Sequence, residues 1–232
     1  MAAIIALFLI FAHFLSMKRI LLSTATFPNL EYFAAIAAAG EVWIEACETY
    51  ARQSFRNRFY IAGPEGRQML VVPVLRPQGN HTPIHQVLPD NRVPWQRNHL
   101  RAIETAYNRS AFFLYYRDVT EALFDTHNLT LLQWNTRVLR HLLEILRIDA
   151  VIHHTEVFEE KPQKFIDLRQ SIHPKKEAAL LKVIPEPYFQ PFSPKYGFLS
   201  NLSTLDLIYN QGPQAGHYIK QLAQTVKLQD EG

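Results

Sequence analysis

Residues 20–44 read ILLSTATFPNLEYFAAIAAAGEVWI, and this stretch decides the fold. Ile20-Leu21-Leu22, continuing to Phe27, has the apolar run of a buried strand. Pro28 stops it. Asn29 is a helix N-cap, because its side-chain oxygen can accept from a free backbone N–H one turn on. Leu30 to Ala39 is alanine-rich, the composition with the lowest helical cost. Gly40 suits the residue after a helix, where a left-handed backbone is needed. Val42-Trp43-Ile44 is a second strand. A strand, a helix and a strand in so few residues predict a βαβ unit and a parallel pair.

Working outward, Phe59-Tyr60-Ile61 and Met69 to Val72 flank Gly63-Pro64-Glu65-Gly66, which predicts a hairpin with a four-residue turn. Residues 77–94 hold four prolines and read as an irregular loop. Pro94 opens a helix whose Trp95, His99, Ala102, Ile103 and Ala106 share one face. Ala111 to Tyr116 is aromatic and expected to be buried. Residues 118–148 have the clearest helical period, with a possible division at Thr126-His127-Asn128. Ala150 to His153 reads as a strand. Residues 158–198 read as an ordered, proline-rich excursion, since Phe165, Tyr188, Phe189, Phe192 and Tyr196 call for burial. Helix returns from Ser203, is broken at Gly212-Pro213 and runs toward Val226. The fold class is therefore α/β: one domain over residues 17–226, a mixed open sheet beginning with the βαβ unit, and a helical C-terminal layer. Residues 227–232 read as a frayed tail.

The chain of 232 residues is long enough to bury a core without staples. Apolar residues make up 48%, which excludes a disordered chain. A net charge of +3 does not by itself argue for nucleic acid. The single cysteine, Cys47, excludes a disulfide framework. Residues 1–16 are apolar but shorter than a membrane span and badly flanked for a signal peptide. They read as a mis-called start, with Met17 the true one. On that reading the protein is cytoplasmic without stable membrane insertion, and the sequons at Asn80, Asn108, Asn128 and Asn201 are coincidental.

Charge is segregated along the chain. Residues 20–51 hold Glu31, Glu41, Glu45 and Glu48 and no lysine or arginine, whereas residues 52–109 hold nine arginines and no lysine. Arg52, Arg56 and Arg58 fall on one face if the segment is a strand, and three guanidinium groups together call for an anion or for carboxylates. The rival reading is ion pairing to the preceding glutamates. Asn29 heads a helix beside a strand end, where free N–H groups can take an anion; an ordinary capped helix is the plainer reading. Ser171 to Lys176 places His173, Lys175 and Lys176 in a loop, either as a cover for an anion or as a solvated turn. His99 beside Trp95 is a core histidine or an acid–base group. Ser203-x-x-Asp206 resembles a capping box. His81 and His85 are separated by a proline, and no metal is assigned. No glycine-rich phosphate loop or G-x-S-x-G elbow occurs.

Several short motifs, taken in order, resemble the WbqC-like proteins. They are Phe27-Pro-Asn29-Leu-Glu-Tyr32-Phe33, Glu48-Thr-Tyr50, Gln53-Ser-Phe-Arg56-Asn57-Arg58, Pro73-Val74, Trp95-Gln-Arg-Asn-His99, Ala106-Tyr107 and Phe112-Phe113. Asp167-Leu-Arg169, Ile172-His173-Pro-Lys175, Tyr188-Phe-Gln190 and Phe198 to Leu207 resemble the bacteroidete branch. The resemblance spans about residues 19–220. Two departures stand out: Ser23-Thr24-Ala25-Thr26 replaces the family's H-Q-P, and Arg52 stands where a lysine is frequent. The resemblance implies a role in O-antigen or other surface-polysaccharide synthesis, with an acyl (glycyl) or related group transferase as the leading activity. It implies that Arg52, Arg56, Asn57, Arg58, Asn29 and Tyr32 bind the anionic substrate, a nucleotide sugar or aminoacyl donor. His173 or His99 would be the general base, Lys175 would stabilise an oxyanion, and Asp206 would complete the catalytic set. The cofactor is unknown. The rival readings are a nucleotide-dependent ligase or nucleotidyl transferase, and a non-enzymatic scaffold. Nucleic acid is not expected as a partner, aminoacyl-tRNA excepted.

Overall fold

A computed structural model describes residues 18–228 apart from 177 and 184. The stretch read as a mis-called start, residues 1–16, lies outside the described residues, as do Met17 and the last four residues. The βαβ unit is present: β1 (Lys18–Ser23), α1 (Leu30–Ala39) and β2 (Gly40–Glu45). Asn29 Oδ1 accepts from Tyr32 N–H, and Gly40 closes the helix at φ 84°. β1 and β2 pair in parallel from Lys18↔Gly40 to Ser23↔Glu45. β7 (Val151–His154) joins β2 and β8 (Ile166–Asp167) joins β1, both in parallel, giving the order β7-β2-β1-β8.

The antiparallel ladders form separate two-stranded ribbons. β3 (Arg58–Gly63) and β4 (Gly66–Val71) form the hairpin, and β5 (Val74–Leu75) pairs with β6 (Leu88–Pro89). Gly63 pairs with Gly66, so the turn contains two residues, Pro64-Glu65, rather than four. Gly66 at φ 94° supplies the left-handed step that lets so short a turn close.

The helices are α2 (Trp95–Tyr107), α3 (Phe113–Leu123), α4 (Leu131–Leu146), the single turn α5 (Ser193–Tyr196), α6 (Thr204–Gln211) and α7 (Ala215–Ala223). The expected division at residues 126–128 separates α3 from α4, and Thr130 with Gln133 forms a capping box at the start of α4. One face of the parallel sheet, Ile20, Leu22, Val42 and Ile44, is buried beneath α1. α7 packs on α1 and α4, forming the C-terminal layer. Phe27, Phe59, Trp95, Phe124 and Trp134 build an aromatic cluster with centroids 4.9–6.4 Å apart.

Four local expectations change. β1 ends at Ser23, because Thr24 to Phe27 turns away and Phe27 adopts φ 40° to enter the aromatic cluster. Leu114, Tyr115 and Phe189 are exposed rather than buried. β8 lies inside the stretch read as an excursion; two residues give no alternation to detect. Order continues past Val226: Lys227 N–H bonds Leu180 and Leu228 is buried.

α7 crosses α4 at Gly216, where a Cβ would sit 1.9 Å from the Leu146 carbonyl oxygen. Alanine favours a helix by about 1 kcal/mol over glycine, but overpacking against backbone costs typically 1–3 kcal/mol or more. Gly216→Ala is therefore expected to lower the melting temperature by several degrees in calorimetry.

Candidate functional site

Parallel α/β sheets bind ligands outside the carboxyl ends of their strands, where the strand order reverses. From β1 the chain proceeds outward to β2 and β7, then returns to β8 on the other flank of β1. The reversal therefore lies between β1 and β8. A crevice opens there, lined by Ser23, Tyr32, Arg56, Leu168, Arg169 and Ile172, with about 10 Å³ of free volume. That holds a water and no more.

Two buried glutamates at the end of β2 organise this edge. Glu45 is 1% exposed. It accepts from Arg169 Nη1 at 3.0 Å, Thr155 Oγ1 at 2.6 Å and the Cys47 N–H at 2.9 Å. Arg169 also binds Asp167 at 2.6 Å. Glu48 takes Arg56 through two bonds, 2.7 and 2.5 Å, and Arg56 Nη2 reaches Ser23 Oγ at 2.7 Å. Tyr32 donates to the Ser23 carbonyl at 3.0 Å. Burial and the Glu48 charge raise the Tyr32 pKa far above the ordinary phenol value, so it remains a donor.

Beyond these pairs the surroundings are cationic. Burial pushes the Tyr50 hydroxyl up, against the lowering charges of Arg58, Arg76, Arg56 and Arg52. Burial lowers the His173 pKa, and Lys175, Arg56, Lys176 and Arg58 lower it further. Its Nδ1 accepts the Lys175 N–H at 3.2 Å. A neutral ring whose Nδ1 accepts carries its proton on Nε2, so His173 presents a donor. Among the described residues, Arg58 has a buried Nε without a partner, and its only side-chain hydrogen bond runs from Nη1 to the Met69 sulfur at 3.6 Å. A guanidinium left with a thioether as acceptor has capacity for an anion.

The structure thus gathers Tyr32, Arg52, Arg56, Arg58, His173 and Lys175 around one sheet edge, but several roles change. Residues 55–57 form a 3₁₀ turn, so Arg52, Arg56 and Arg58 do not share a strand face. Arg56 is committed to Glu48, as the ion-pair reading has it, leaving Arg52 and Arg58 outside any ion pair among the described residues, Arg58 the more buried of the two. The lone pair of His173 Nδ1 is occupied, which removes it as a resting general base. Asn57 Nδ2 holds the Val72 carbonyl and fixes the hairpin. The α1 N-terminus offers no anion site: Leu30 N–H bonds Leu202, Glu31 N–H bonds Asn201, and Asn29 pairs with Ser203.

His99 and Asp206 lie in the core. His99 packs edge-on against Phe59, Trp95 and Phe124, and burial lowers its pKa to about 4. Asp206 is fully buried and accepts from Tyr188 at 2.5 Å and Gln190 at 2.8 Å. Burial raises its pKa to about 6. Its side chain turns into the core, so no capping box forms, although Ser203 does cap α6 through Leu205 N–H. The sequence reading did not foresee that Arg169 would bind Asp167, Glu45 and the Glu160 carbonyl together, or the cationic surroundings of Tyr50. The acidic block preceding the arginine block was the available signal for such pairing.

A WbqC-like protein family profile matches residues 24–180. The chain belongs to the WbqC-like family. It is also similar to an uncharacterised protein of Mycobacterium tuberculosis, 26% identical over 230 residues, covering 88% of this chain and 98% of the relative. No solved structure matches it. The family match includes both glutamates, the arginine segment, Arg169 and His173, and begins just after β1 and Ser23.

Arg56→Ala is expected to destabilise the fold by about 3–5 kcal/mol, because it strands a buried carboxylate. The double change Arg56→Met, Glu48→Met should recover most of that in denaturant unfolding. Asp206 and His99 make opposite contributions to pH dependence. The raised Asp206 pKa means that the folded state binds the extra proton, so its contribution grows as pH falls from about 6 to the ordinary value near 4. The lowered His99 pKa means that the unfolded state binds the extra proton, so its contribution is lost as pH falls from about 6.5 to 4. Each is worth about 3 kcal/mol at most. The two offset each other in the wild type. Asp206→Asn should therefore lose stability on acidification through this window, and His99→Phe should gain it, in denaturation measured at pH 4, 5 and 6.5.

Proposed function

We propose that the protein is a group transferase in surface-polysaccharide synthesis that holds an anionic donor between the β3 end and the 171–176 loop. The observation that carries this reading is the Arg58 guanidinium: its buried Nε has no partner among the described residues, its Nη1 meets the Met69 sulfur, and its charge acts with those of Arg52 and Arg76 on Tyr50 and with that of Lys175 on His173. Arg58 offers the fork geometry that a phosphate or carboxylate accepts. Lys175 and Lys176 add positive charge from the 171–176 loop, where both act on His173. The neutral His173 donates from Nε2 to an oxygen that gains negative charge as the transferred group leaves. Arg56 and Arg169 position the edge and do not meet the donor. The family's association with O-antigen gene clusters supports the polysaccharide setting, and an acyl donor such as an aminoacyl-adenylate, a mixed anhydride with an anionic phosphate, suits the cationic surroundings.

The ligase or nucleotidyl-transferase reading loses its footing at Asn29, since the helix start is capped and covered. The scaffold reading calls for a flat array of arginines. Here Arg58, Arg76, Arg56 and Arg52 all lower the pKa of the same buried hydroxyl, Tyr50, against the larger effect of burial.

The test is thermal stability of the Met17-start protein with pyrophosphate, phosphate, AMP, ATP with and without magnesium, and UDP-N-acetylglucosamine. A ligand at 100 times its dissociation constant stabilises by about 2.7 kcal/mol. At least one phosphate ester should raise the melting temperature, and Arg58→Ala and Lys175→Ala should each abolish the shift. No shift with any anion would support the scaffold reading.

A further inference from the structure

The sheet face opposite α1 carries a second cavity that the cationic edge does not use, of about 590 Å³. Its floor is aromatic. Trp43 stacks on His153 across the β2–β7 pair at 4.7 Å and 22°, and Phe165 lies 5.2 Å from the indole. Its outer wall is the segment following β7, tied down by Arg169, which bonds the Glu160 carbonyl at 3.1 Å and lies 5.1 Å over the Phe158 ring.

The charges around this floor divide into spent and unspent. Glu41 accepts from Arg19 at 3.0 Å and from the Trp43 indole N–H at 3.5 Å. Glu45 is consumed by Arg169 and Thr155. Glu156 and Glu159 line the wall, and neither side chain has an ion pair or hydrogen bond among the described residues. Lys164 is the one lining cation outside an ion pair there. Two unspent carboxylates against one ammonium leave the cavity net negative, while the other side of Glu45 and Arg169 is positive. An indole face attracts a cation most strongly among the aromatic rings, and a nearby carboxylate adds to the attraction.

We infer that this cavity binds a primary ammonium ligand about the size of a monosaccharide, its charge toward Glu156 and Glu159 and its apolar face on the Trp43 platform. In the transferase reading, on which this role but not the binding itself rests, the ligand is the acceptor amine. It approaches the donor edge from the opposite side of the Glu45–Arg169 pair.

Tryptophan emission reports on this floor, because Trp95 and Trp134 are buried and Trp43 is only partly so. Titration with glucosamine below its amine pKa should change the emission saturably, and the neutral N-acetylglucosamine should not. The exposed pair Glu156→Gln, Glu159→Gln should weaken glucosamine binding at least tenfold, and Trp43→Phe should abolish the signal. Equal responses to the two sugars, no saturable response to glucosamine, or undiminished binding by the double variant would overturn the inference. Pyrophosphate binding in the same preparations separates the two claims. Glucosamine binding without pyrophosphate binding contradicts the donor site alone, and the reverse contradicts only the amine cavity.

Discussion

Two carboxylates buried at the end of a strand set the terms for much of this molecule. Glu45 and Glu48 follow the apolar run of β2 directly, so folding that strand into the sheet carries both out of water. An ionised carboxylate tolerates that only with a charge and hydrogen bonds to receive it. Arg169, Thr155, Arg56 and Ser23 supply them. These residues come from the segments after β8 and β7, before β3, and from β1 itself. Neutralising two side chains therefore draws four parts of the chain to one sheet edge.

That constraint also accounts for what is left over. The arginine-rich segment brings more positive charge to the edge than Glu48 can absorb, and the excess remains at Arg52, Arg58 and Arg76. The acidic wall after β7 brings two carboxylates, Glu156 and Glu159, against the one ammonium of Lys164, since Arg19 is held by Glu41. The Glu45–Arg169 pair separates the two excesses. A site with opposite charges on its two sides suits a reaction joining an anionic donor to a cationic acceptor. The departure of Ser23-Thr24-Ala25-Thr26 from the family's histidine pattern fits the same picture. In this chain Ser23 receives Arg56, and the Thr26 hydroxyl lies 2.8 Å from the Arg56 carbonyl, so the stretch anchors the arginine segment.

The legible parts of the fold were those governed by local rules. Asn29 and Gly40 bounded α1 because caps act within a few residues. The period of Leu131 to Leu146 located α4 because one face of it is core. β8 escaped notice because a two-residue strand is defined by its neighbour β1 and not by its own pattern. The candidate site was legible as composition and not as geometry. The arginine run and the 171–176 loop were both visible, but whether Arg56 or Arg58 would be the free guanidinium depended on where Glu48 landed. His99 and Asp206 were attractive as chemistry and proved to be core groups, since burial cannot be read from residue type alone. The Ser203-x-x-Asp206 spacing misled for the same reason: Tyr188 and Gln190 compete for the aspartate and win.

The most direct test of a donor site at the β1–β8 edge is a crystal structure of the protein with pyrophosphate bound. The account predicts the anion within hydrogen-bonding distance of the Arg58 guanidinium and His173 Nε2, with the Arg56–Glu48 pair intact. Pyrophosphate that displaces Glu48 from Arg56, or that lies only against arginines remote from this edge, would contradict it.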